Sequence, residues 1–162
     1  MTGVQTCALP ISGYKFRTMR NGADKLGVLT ANNDSRVTKI GRFLRKSKLD
    51  ELPQLFNVLI GDMSFVGPRP ETPQYVDCYK KEWLDVFEIR PGITDYASIH
   101  FSNESQYFNK GEDPGKVYLE KILPAKMVLK KKYLKNITLF GDIKIIILTI
   151  FKVAGIKVNV KD

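Results

Sequence analysis

Two proline-containing segments most strongly limit what this chain can fold into. Gly67-Pro68-Arg69-Pro70 and Arg90-Pro91-Gly92 are predicted loops, because proline has no amide hydrogen and is excluded from helix interiors and central strands. No apolar run reaches the roughly 18 residues that a membrane-spanning helix requires. With 162 residues and no linker between its elements, the chain is expected to fold as one domain of short elements.

The spacing of apolar residues predicts an α+β, helix-dominated single domain with short strands. Strands are predicted at residues 14–19 and 93–101, and helices after the capping candidates Asn33, Asp34 and Ser35 and at residues 50–60, 73–88, 117–135 and 142–153. Asp50 is predicted to cap the second helix and Gly61 to end it. Four aromatic residues spaced four apart are predicted to pack in the core: Tyr75, Tyr79, Trp83 and Phe87.

The net charge is +9, from 26 basic and 17 acidic residues. This excess indicates an anionic partner: nucleic acid, a phosphate-bearing small molecule or an anionic membrane surface. No acid occurs between Arg36 and Leu49, where apolar residues lie on one side of the predicted helix. Such a helix is typical of a membrane-surface or phosphate-facing element, although a solvated face has the same pattern. The same two interpretations apply to the run Lys130-Lys131-Lys132.

The first twelve residues, MTGVQTCALPIS, show neither helical nor strand periodicity. The run from Thr2 to Ile11 resembles an in-frame translation of a common sequencing-adapter oligonucleotide. Such scars are left out of fold reasoning. We therefore expect residues 1–12 to be foreign to the protein, residues 13–162 to form the functional domain, and the natural N-terminus to be missing.

Two adjacent carboxylates, Asp50 and Glu51, are the strongest candidates for chemistry. They stand at a predicted helix start and follow a basic cluster, and both features favour their ionised forms. Ionised carboxylates beside cations suit two tasks, namely nucleophilic attack on phosphorus and coordination of Mg²⁺ together with substrate phosphates. A simple helix cap is the plainer alternative for the pair.

The motif DELPQL at residues 50–55, followed by GDMS at 61–64 and VGPRP at 66–70, closely resembles the bacterial sugar transferase family, the monotopic phosphoglycosyl transferases. The resemblance extends upstream to YKFRTM at 14–19 and downstream through RPGIT at 90–94 and ILPAK at 122–126. It ends near DIKII at 142–146. By this resemblance, residues 13–162 are a phosphoglycosyl transferase catalytic domain.

The resemblance implies a role for each matching residue. Asp50 would attack the β-phosphate of a UDP-sugar donor and release UMP, and a polyprenyl phosphate acceptor would then take the sugar-phosphate from the enzyme. Glu51 would bind the cofactor Mg²⁺. The other matches are substrate-binding positions near the nucleotide and its phosphates: Lys15, Arg17, Arg45, Pro68, Arg69 and Pro70.

Members of the family initiate exopolysaccharide, capsule or O-antigen assembly at the cytoplasmic face of the bacterial inner membrane, and begin with a re-entrant membrane helix. Nothing in this sequence matches that helix, so we expect the gene product to have an anchor that this chain lacks. We also expect amphipathic membrane-surface helices, and docking through the last helix by a set of apolar residues: Ile145, Ile146, Leu148, Ile150 and Phe151.

Two segments depart from the family pattern. DYAS at residues 95–98 stands where many members have Gly-Trp-Ala-Gln, and FSNE at 101–104 replaces a Gly-Arg-Asn element. We therefore assign no phosphate-binding arginine in this stretch. The donor sugar stays open among N-acetylated and diacetamido sugars, galactose and glucose.

Two alternatives belong to other functional classes. A basic nucleic-acid-binding module is compatible with the charge, but the chain contains no RNA- or DNA-binding motif, and no nucleic-acid partner is expected. A non-catalytic membrane-surface partner could keep the same fold, although the intact DELPQL and GPRP motifs argue against loss of activity. Two cysteines and one histidine are too few for a disulfide-stapled domain or a zinc cluster, which favours a reducing compartment.

Overall fold

The computed structural model describes residues 3–5, 10–23, 34–108 and 112–158. Helices dominate these ranges, and the strands are only three residues long. The strands are β1 (Gly3–Gln5), β2 (Pro10–Ser12), β3 (Ser64–Val66) and β4 (Gly92–Thr94). The helices are α1 (Lys39–Ser47), α2 (Gln54–Leu59), α3 (Pro73–Val76), α4 (Tyr96–His100), α5 (Pro114–Val117), α6 (Leu123–Lys135) and α7 (Leu139–Val153). The predicted helix-dominated α+β class is thereby confirmed.

The main core forms around α6 and the helical turns that lead into it. A π-helical segment, Tyr118–Ile122, joins α5 to α6, so the helix predicted at residues 117–135 is confirmed and begins slightly earlier, at Pro114. Ile122, Leu123 and Met127 are almost fully buried in it. Burial of such side chains is the main stabilising contribution to a domain of this size.

The aromatic stripe packs into this core, as predicted. Tyr75 and Trp83 are buried, and Tyr79 and Phe87 pack against the same cluster, with the Tyr79 and Phe87 rings stacked at 5.5 Å. The single helix predicted at residues 73–88 is wrong, since α3 ends at Val76 and a 3₁₀ segment, Lys81–Phe87, follows. The break arises because Lys80 adopts an extended backbone, with φ −72° and ψ 152°.

The parallel strands β3 and β4 adjoin the two proline-containing segments, since β3 ends at Val66 and β4 begins at Gly92. Ser64 is paired with Gly92 and Val66 with Thr94. The chains approach so closely that a Cβ on Gly92 would lie 2.7 Å from Gly67 Cα, and only glycine fits there. The strand predicted at residues 93–101 is wrong beyond Thr94, because the Asp95 side chain caps a new helix, α4.

The basic helix α1 is present, but its cap differs from the prediction. Thr38 caps it by accepting a hydrogen bond from Gly41 N at 2.9 Å, whereas Asp34 accepts from Arg36 instead; Asn33 lies outside the described residues. The strand predicted at residues 14–19 is also wrong. This segment is extended without a ladder and forms a single bridge, from Met19 to Val37.

Helix α7 confirms the prediction for residues 142–153 and begins three residues earlier, where Thr138 caps it. Ile145, expected to dock on a membrane, is instead fully buried in a second core cluster with Val66, Ile99 and Tyr133. Within the described ranges, no helix combines the length and apolarity needed to cross a membrane.

Strands β1 and β2 pair antiparallel, although residues 1–12 show no periodicity in the sequence. The assignment of residues 1–12 to an adapter sequence stays a prediction.

Candidate active site

The two carboxylates lie on a short 3₁₀ turn, Leu49–Glu51, between α1 and α2. Helix α1 ends at Ser47, and the backbone of its C-cap residue, Lys48, is left-handed (φ 56°); this sharp turn directs Asp50 inward. The predicted helix starting at Asp50 is wrong, because α2 begins at Gln54 and Asp50 makes no capping bond. Gly61, with φ 87°, follows the last turn of α2, as predicted.

The segment from residue 12 to residue 18 lies against this turn and supplies a cation. Phe16 N donates to Asp50 O at 2.9 Å. Asn57, which is fully buried, accepts from Tyr14 N at 3.0 Å and donates to Ser12 O at 2.9 Å. These bonds place Lys15 Nζ 3.0 Å from Asp50 Oδ2 and 3.1 Å from Glu51 Oε1.

Asp50 is buried, with 1% of its surface exposed. Its Oδ2 atom contacts Lys15, whereas Oδ1 has no hydrogen-bond partner among the described residues. A buried polar atom without a partner costs free energy. Such an atom in a native protein requires an explanation, for example a catalytic role or a bond to a water or an ion.

Glu51 is held by cations on two sides. Arg69 Nη2 donates to Glu51 Oε1 at 2.5 Å, and Lys15 contacts the same oxygen. Burial raises the pKa of Glu51, but the positive charges of Arg69, Lys15 and Lys48 outweigh burial and lower it to about 2. Glu51 is therefore ionised at neutral pH.

The carboxylates open onto a cleft of about 960 Å³. Its walls come from the segment before α1, the 3₁₀ turn, the Pro-Arg-Pro loop, α4, α6 and α7. Cations outnumber carboxylates on these walls, so the cleft suits an anionic ligand. The cations are Lys15, Arg45, Lys46, Lys48, Arg69, Lys126, Lys130 and Lys152, and the carboxylates are Asp50, Glu51, Glu71, Asp95 and Glu104.

Most of the predicted substrate-binding residues meet at this cleft. Lys15, Arg45, Arg69 and Pro70 line it together with both carboxylates. The Arg45 Nε atom donates to Thr18 Oγ1 at 2.8 Å, which anchors it beside the extended segment. The structure does not bring the two remaining residues to the cleft. Arg17 is exposed and donates to Asn21, and Pro68 is buried within the loop itself.

A second buried charge cluster lies in the same cleft and was missed by the sequence analysis. Glu71 accepts from Tyr118 at 2.5 Å and pairs with Lys130 at 3.1 Å and Lys126 at 3.3 Å. Lys126 also pairs with Glu104 at 2.6 Å. The one available signal was the four-residue spacing of Lys126 and Lys130, which places two lysines on one helix face that is otherwise apolar.

Both predicted interpretations of the lysine run are wrong for Lys130. It is 1% exposed, so it neither faces solvent nor reaches a membrane surface. Lys131 contacts Asp85 and the Glu82 carbonyl instead. Consecutive residues of a helix point in different directions, and for this reason one lysine of a run can be buried while its neighbour is exposed.

Fold and site together define a helix-dominated domain with a carboxylate pair at the edge of a cationic cleft. The chain belongs to the bacterial sugar transferase family, whose model matches residues 4–155. It is 40% identical over 144 residues to the uncharacterized sugar transferase EpsL of Bacillus subtilis (strain 168), covering 89% of this chain.

Two further relatives have names that state a reaction. The chain is 38% identical over 148 residues to the UDP-glucose:undecaprenyl-phosphate glucose-1-phosphate transferase of Escherichia coli (strain K12), covering 88% of this chain. It is 36% identical over 141 residues to the UDP-N-acetylgalactosamine-undecaprenyl-phosphate N-acetylgalactosaminephosphotransferase of Aeromonas hydrophila, covering 85%. The chain spans 63% of the length of the Bacillus relative and 29% and 30% of the other two.

Proposed function

We propose that this protein transfers a sugar-1-phosphate from a UDP-sugar to a polyprenyl phosphate and releases UMP. The observation that carries the proposal is Asp50, a buried carboxylate on a cationic cleft whose Oδ1 atom has no partner among the described residues. The names of the Escherichia and Aeromonas relatives support the general reaction.

In the first half-reaction, an Asp50 carboxylate oxygen attacks the β-phosphorus of the donor. A bond forms between this oxygen and phosphorus, the bond from phosphorus to the oxygen bridging the two phosphates breaks, and that oxygen leaves with UMP. The enzyme then carries an aspartyl-phosphosugar. Lys15, 3.0 Å from Asp50 Oδ2, holds the carboxylate in place and offsets the charge of the approaching diphosphate.

In the second half-reaction, a phosphate oxygen of the polyprenyl phosphate attacks the same phosphorus. The bond between phosphorus and the Asp50 oxygen breaks, which regenerates the carboxylate and releases a polyprenyl diphosphate sugar. No net proton transfer is needed. Arg69 and Arg45, which line the cleft, would bind phosphate oxygens, and Pro70 would contact the nucleotide. Pro68 and Arg17 lie outside the cleft lining, and their roles stay predictions.

The carboxylate pair also fits Mg²⁺, which binds one or two carboxylates together with substrate phosphates. The fit rests on the partnerless Asp50 Oδ1 and on the ionised Glu51, and Glu51 is the residue that would hold the ion. When bound there, Mg²⁺ supplies positive charge to the diphosphate. No group of three or more His, Cys, Asp or Glu side chains in the described part of the chain is arranged to hold a metal without such a substrate.

We place this reaction at the cytoplasmic face of the bacterial inner membrane, where it would initiate exopolysaccharide or a related glycan. Exposed apolar side chains along α7 and the basic helix α1 support contact with an anionic membrane surface. The most exposed of these on α7 are Leu139, Phe140, Ile147, Ile150 and Phe151, and on α1 they are Ile40 and Phe43.

The test is UMP release from UDP-glucose, UDP-galactose and UDP-N-acetylgalactosamine, each with Mg²⁺ and undecaprenyl phosphate in detergent. The wild type is expected to release UMP from at least one donor, and Asp50→Asn to release none, because the amide is not a nucleophile. Asp77→Asn, on the exposed end of α3, is the matched control and should keep wild-type turnover. Full turnover by Asp50→Asn would refute the proposed role of Asp50.

A further inference from the structure

Lys130 contacts the polypeptide on both sides of Pro70. Its Nζ atom donates to Arg69 O at 2.8 Å and to Glu71 Oε1 at 3.1 Å. A buried ammonium is stable only when it is paired and hydrogen-bonded, so these two bonds tie the loop to α6. Helix α6 is itself fixed, because Leu123 and Met127 are almost fully buried in the main core.

Arg69 is the part of the loop that reaches the carboxylate pair. Its Nη2 atom donates to Glu51, and its Nη1 atom donates to Ile93 O at 2.6 Å. Its backbone is held from two directions, since Arg69 N donates to Asp95 Oδ2 at 3.0 Å and Arg69 O accepts from Lys130. The guanidinium position therefore depends on where the backbone of residue 69 is held.

We infer that Lys130 is a positioning residue, which fixes the Arg69 backbone and through it the guanidinium that binds Glu51. Lys130, which belongs to the core helix α6, donates to Arg69 O, and the Arg69 guanidinium donates to Glu51. These two hydrogen bonds connect α6 to the carboxylate pair. Although Lys130 borders the cleft, it is 1% exposed and its ammonium already donates to Arg69 O and Glu71 Oε1, so its action on the site runs through these two residues. Only the kinetic consequence of this inference rests on the proposed function; the position of the Arg69 guanidinium does not.

Loss of this anchor should reduce turnover more than substrate affinity. A group that sets the geometry of the reacting centre changes kcat, whereas a group that binds substrate uniformly changes KM. Displacement of a reacting group by about 1 Å costs on the order of a hundredfold in rate. Lys130→Met, which keeps the length of the side chain and removes its charge, should therefore lower kcat by about tenfold to a hundredfold with KM for the UDP-sugar changed less than about threefold.

Two readouts on the full chain test the inference. The first is kcat and KM for UMP release, with Lys131→Met as the matched control; this neighbour contacts Asp85 and Glu82 outside the cleft and should leave both constants unchanged. The second is the NMR signal of the Arg69 guanidinium N–H groups, assigned by its loss in Arg69→Lys. The signal should broaden or shift toward that of free arginine in Lys130→Met and stay in place in Lys131→Met.

Lys130→Gln is the second variant, because its neutral amide can still donate a hydrogen bond to a buried acceptor that methionine would leave without a partner. It should change both readouts in the same direction. The inference is overturned if the Arg69 signal is unchanged in the Lys130 variants, or if KM rises while kcat is kept. A wild type that releases UMP from none of the UDP-sugars, a diacetamido sugar donor included, refutes the proposed function instead. The guanidinium signal alone then tests the role of Lys130.

Discussion

Asp50 and Glu51 are neighbours in sequence, yet their environments differ. Glu51 is ion-paired with Arg69 and Lys15, whereas Asp50 keeps one oxygen without a partner among the described residues. The sequence motif predicted the carboxylate pair, but the environment predicted for the pair was a helix start built from neighbouring residues. The partners could not be predicted, because Lys15 and Arg69 come from segments that only the folded chain brings together. Lys130 was mispredicted for the same reason, since its partner Glu71 is 59 residues away.

The Glu71 cluster gives stability a defined pH dependence. Burial raises the pKa of Glu71, but Lys130 and Lys126 and the Tyr118 hydrogen bond outweigh burial and lower it to about 2, from 4.5. A carboxylate with a lowered pKa stabilises the fold above its unfolded pKa, and this contribution is lost as the pH falls from about 4.5 toward 2. Each pKa unit corresponds to about 1.4 kcal/mol, which gives a contribution on the order of 3 kcal/mol at pH 7.

Glu71→Gln should therefore lower the free energy of unfolding by about 3 kcal/mol at neutral pH, and its gap to the wild type should narrow below about pH 4.5. Urea denaturation across this pH range measures the gap. The exposed Glu88→Gln is the control and should show almost no gap at any pH. If the difference in unfolding free energy between the wild type and Glu71→Gln does not change with pH, the ionised Glu71 does not contribute to stability as described.

At the scale of elements, long helices were predictable and short elements were not. The helices at residues 117–135 and 142–153 follow from apolar spacing over three or more turns. The strand predicted at residues 93–101 failed because a single side chain, Asp95, caps a helix directly after β4 ends at Thr94. The segment at 14–19 alternates like a strand, yet its backbone bonds go to the 3₁₀ turn and to α1.

Gly41 in α1 determines how closely this extended segment approaches. A Cβ at this position would lie 2.8 Å from Thr18 Cα. Alanine normally stabilises a helix interior by about 1 kcal/mol relative to glycine. Gly41→Ala should instead destabilise by about 1–3 kcal/mol, as overpacking does, and should reduce turnover because the segment carries Lys15.

Gly115→Ala in α5 is the matched control, since its Cβ would meet only Asp113 Oδ1, at 3.4 Å. It should leave stability unchanged or slightly raised. Urea unfolding followed by circular dichroism measures both variants. A Gly41→Ala protein as stable as the wild type would show that α1 and the Lys15 segment are not in tight contact.

At the scale of the whole molecule, the cleft gathers side chains from nearly every part of the chain. Composition predicted an anionic partner, and the motifs predicted six of the residues that line the cleft, but neither predicted which lysines are buried. The surface shows a second property of the whole molecule. Large apolar side chains are exposed along α7, with Phe140 at 84%, whereas Ile145 of the same helix is in the core.

If α7 contacts a membrane, its exposed apolar residues contribute to binding. Leu139→Ser combined with Phe140→Ser should weaken binding to phosphatidylglycerol-containing vesicles about tenfold or more, because burial of each such side chain contributes about 1.5–3 kcal/mol. Binding should also weaken with added salt. Val128→Ser, on the exposed side of α6, is the control in vesicle sedimentation. Equal binding by the α7 variant and the wild type would contradict the assignment of this surface.

The central claim is that Asp50 carries the sugar-phosphate between donor and acceptor. The most direct test is the intact mass of the protein after incubation with each UDP-sugar and Mg²⁺ in the absence of polyprenyl phosphate, where the intermediate cannot be consumed. The account predicts that the wild type gains the mass of one sugar-phosphate, that fragmentation places it on Asp50, and that Asp50→Asn gains nothing. UMP release by a wild type that gains no mass, or an equal gain in Asp50→Asn, would contradict it.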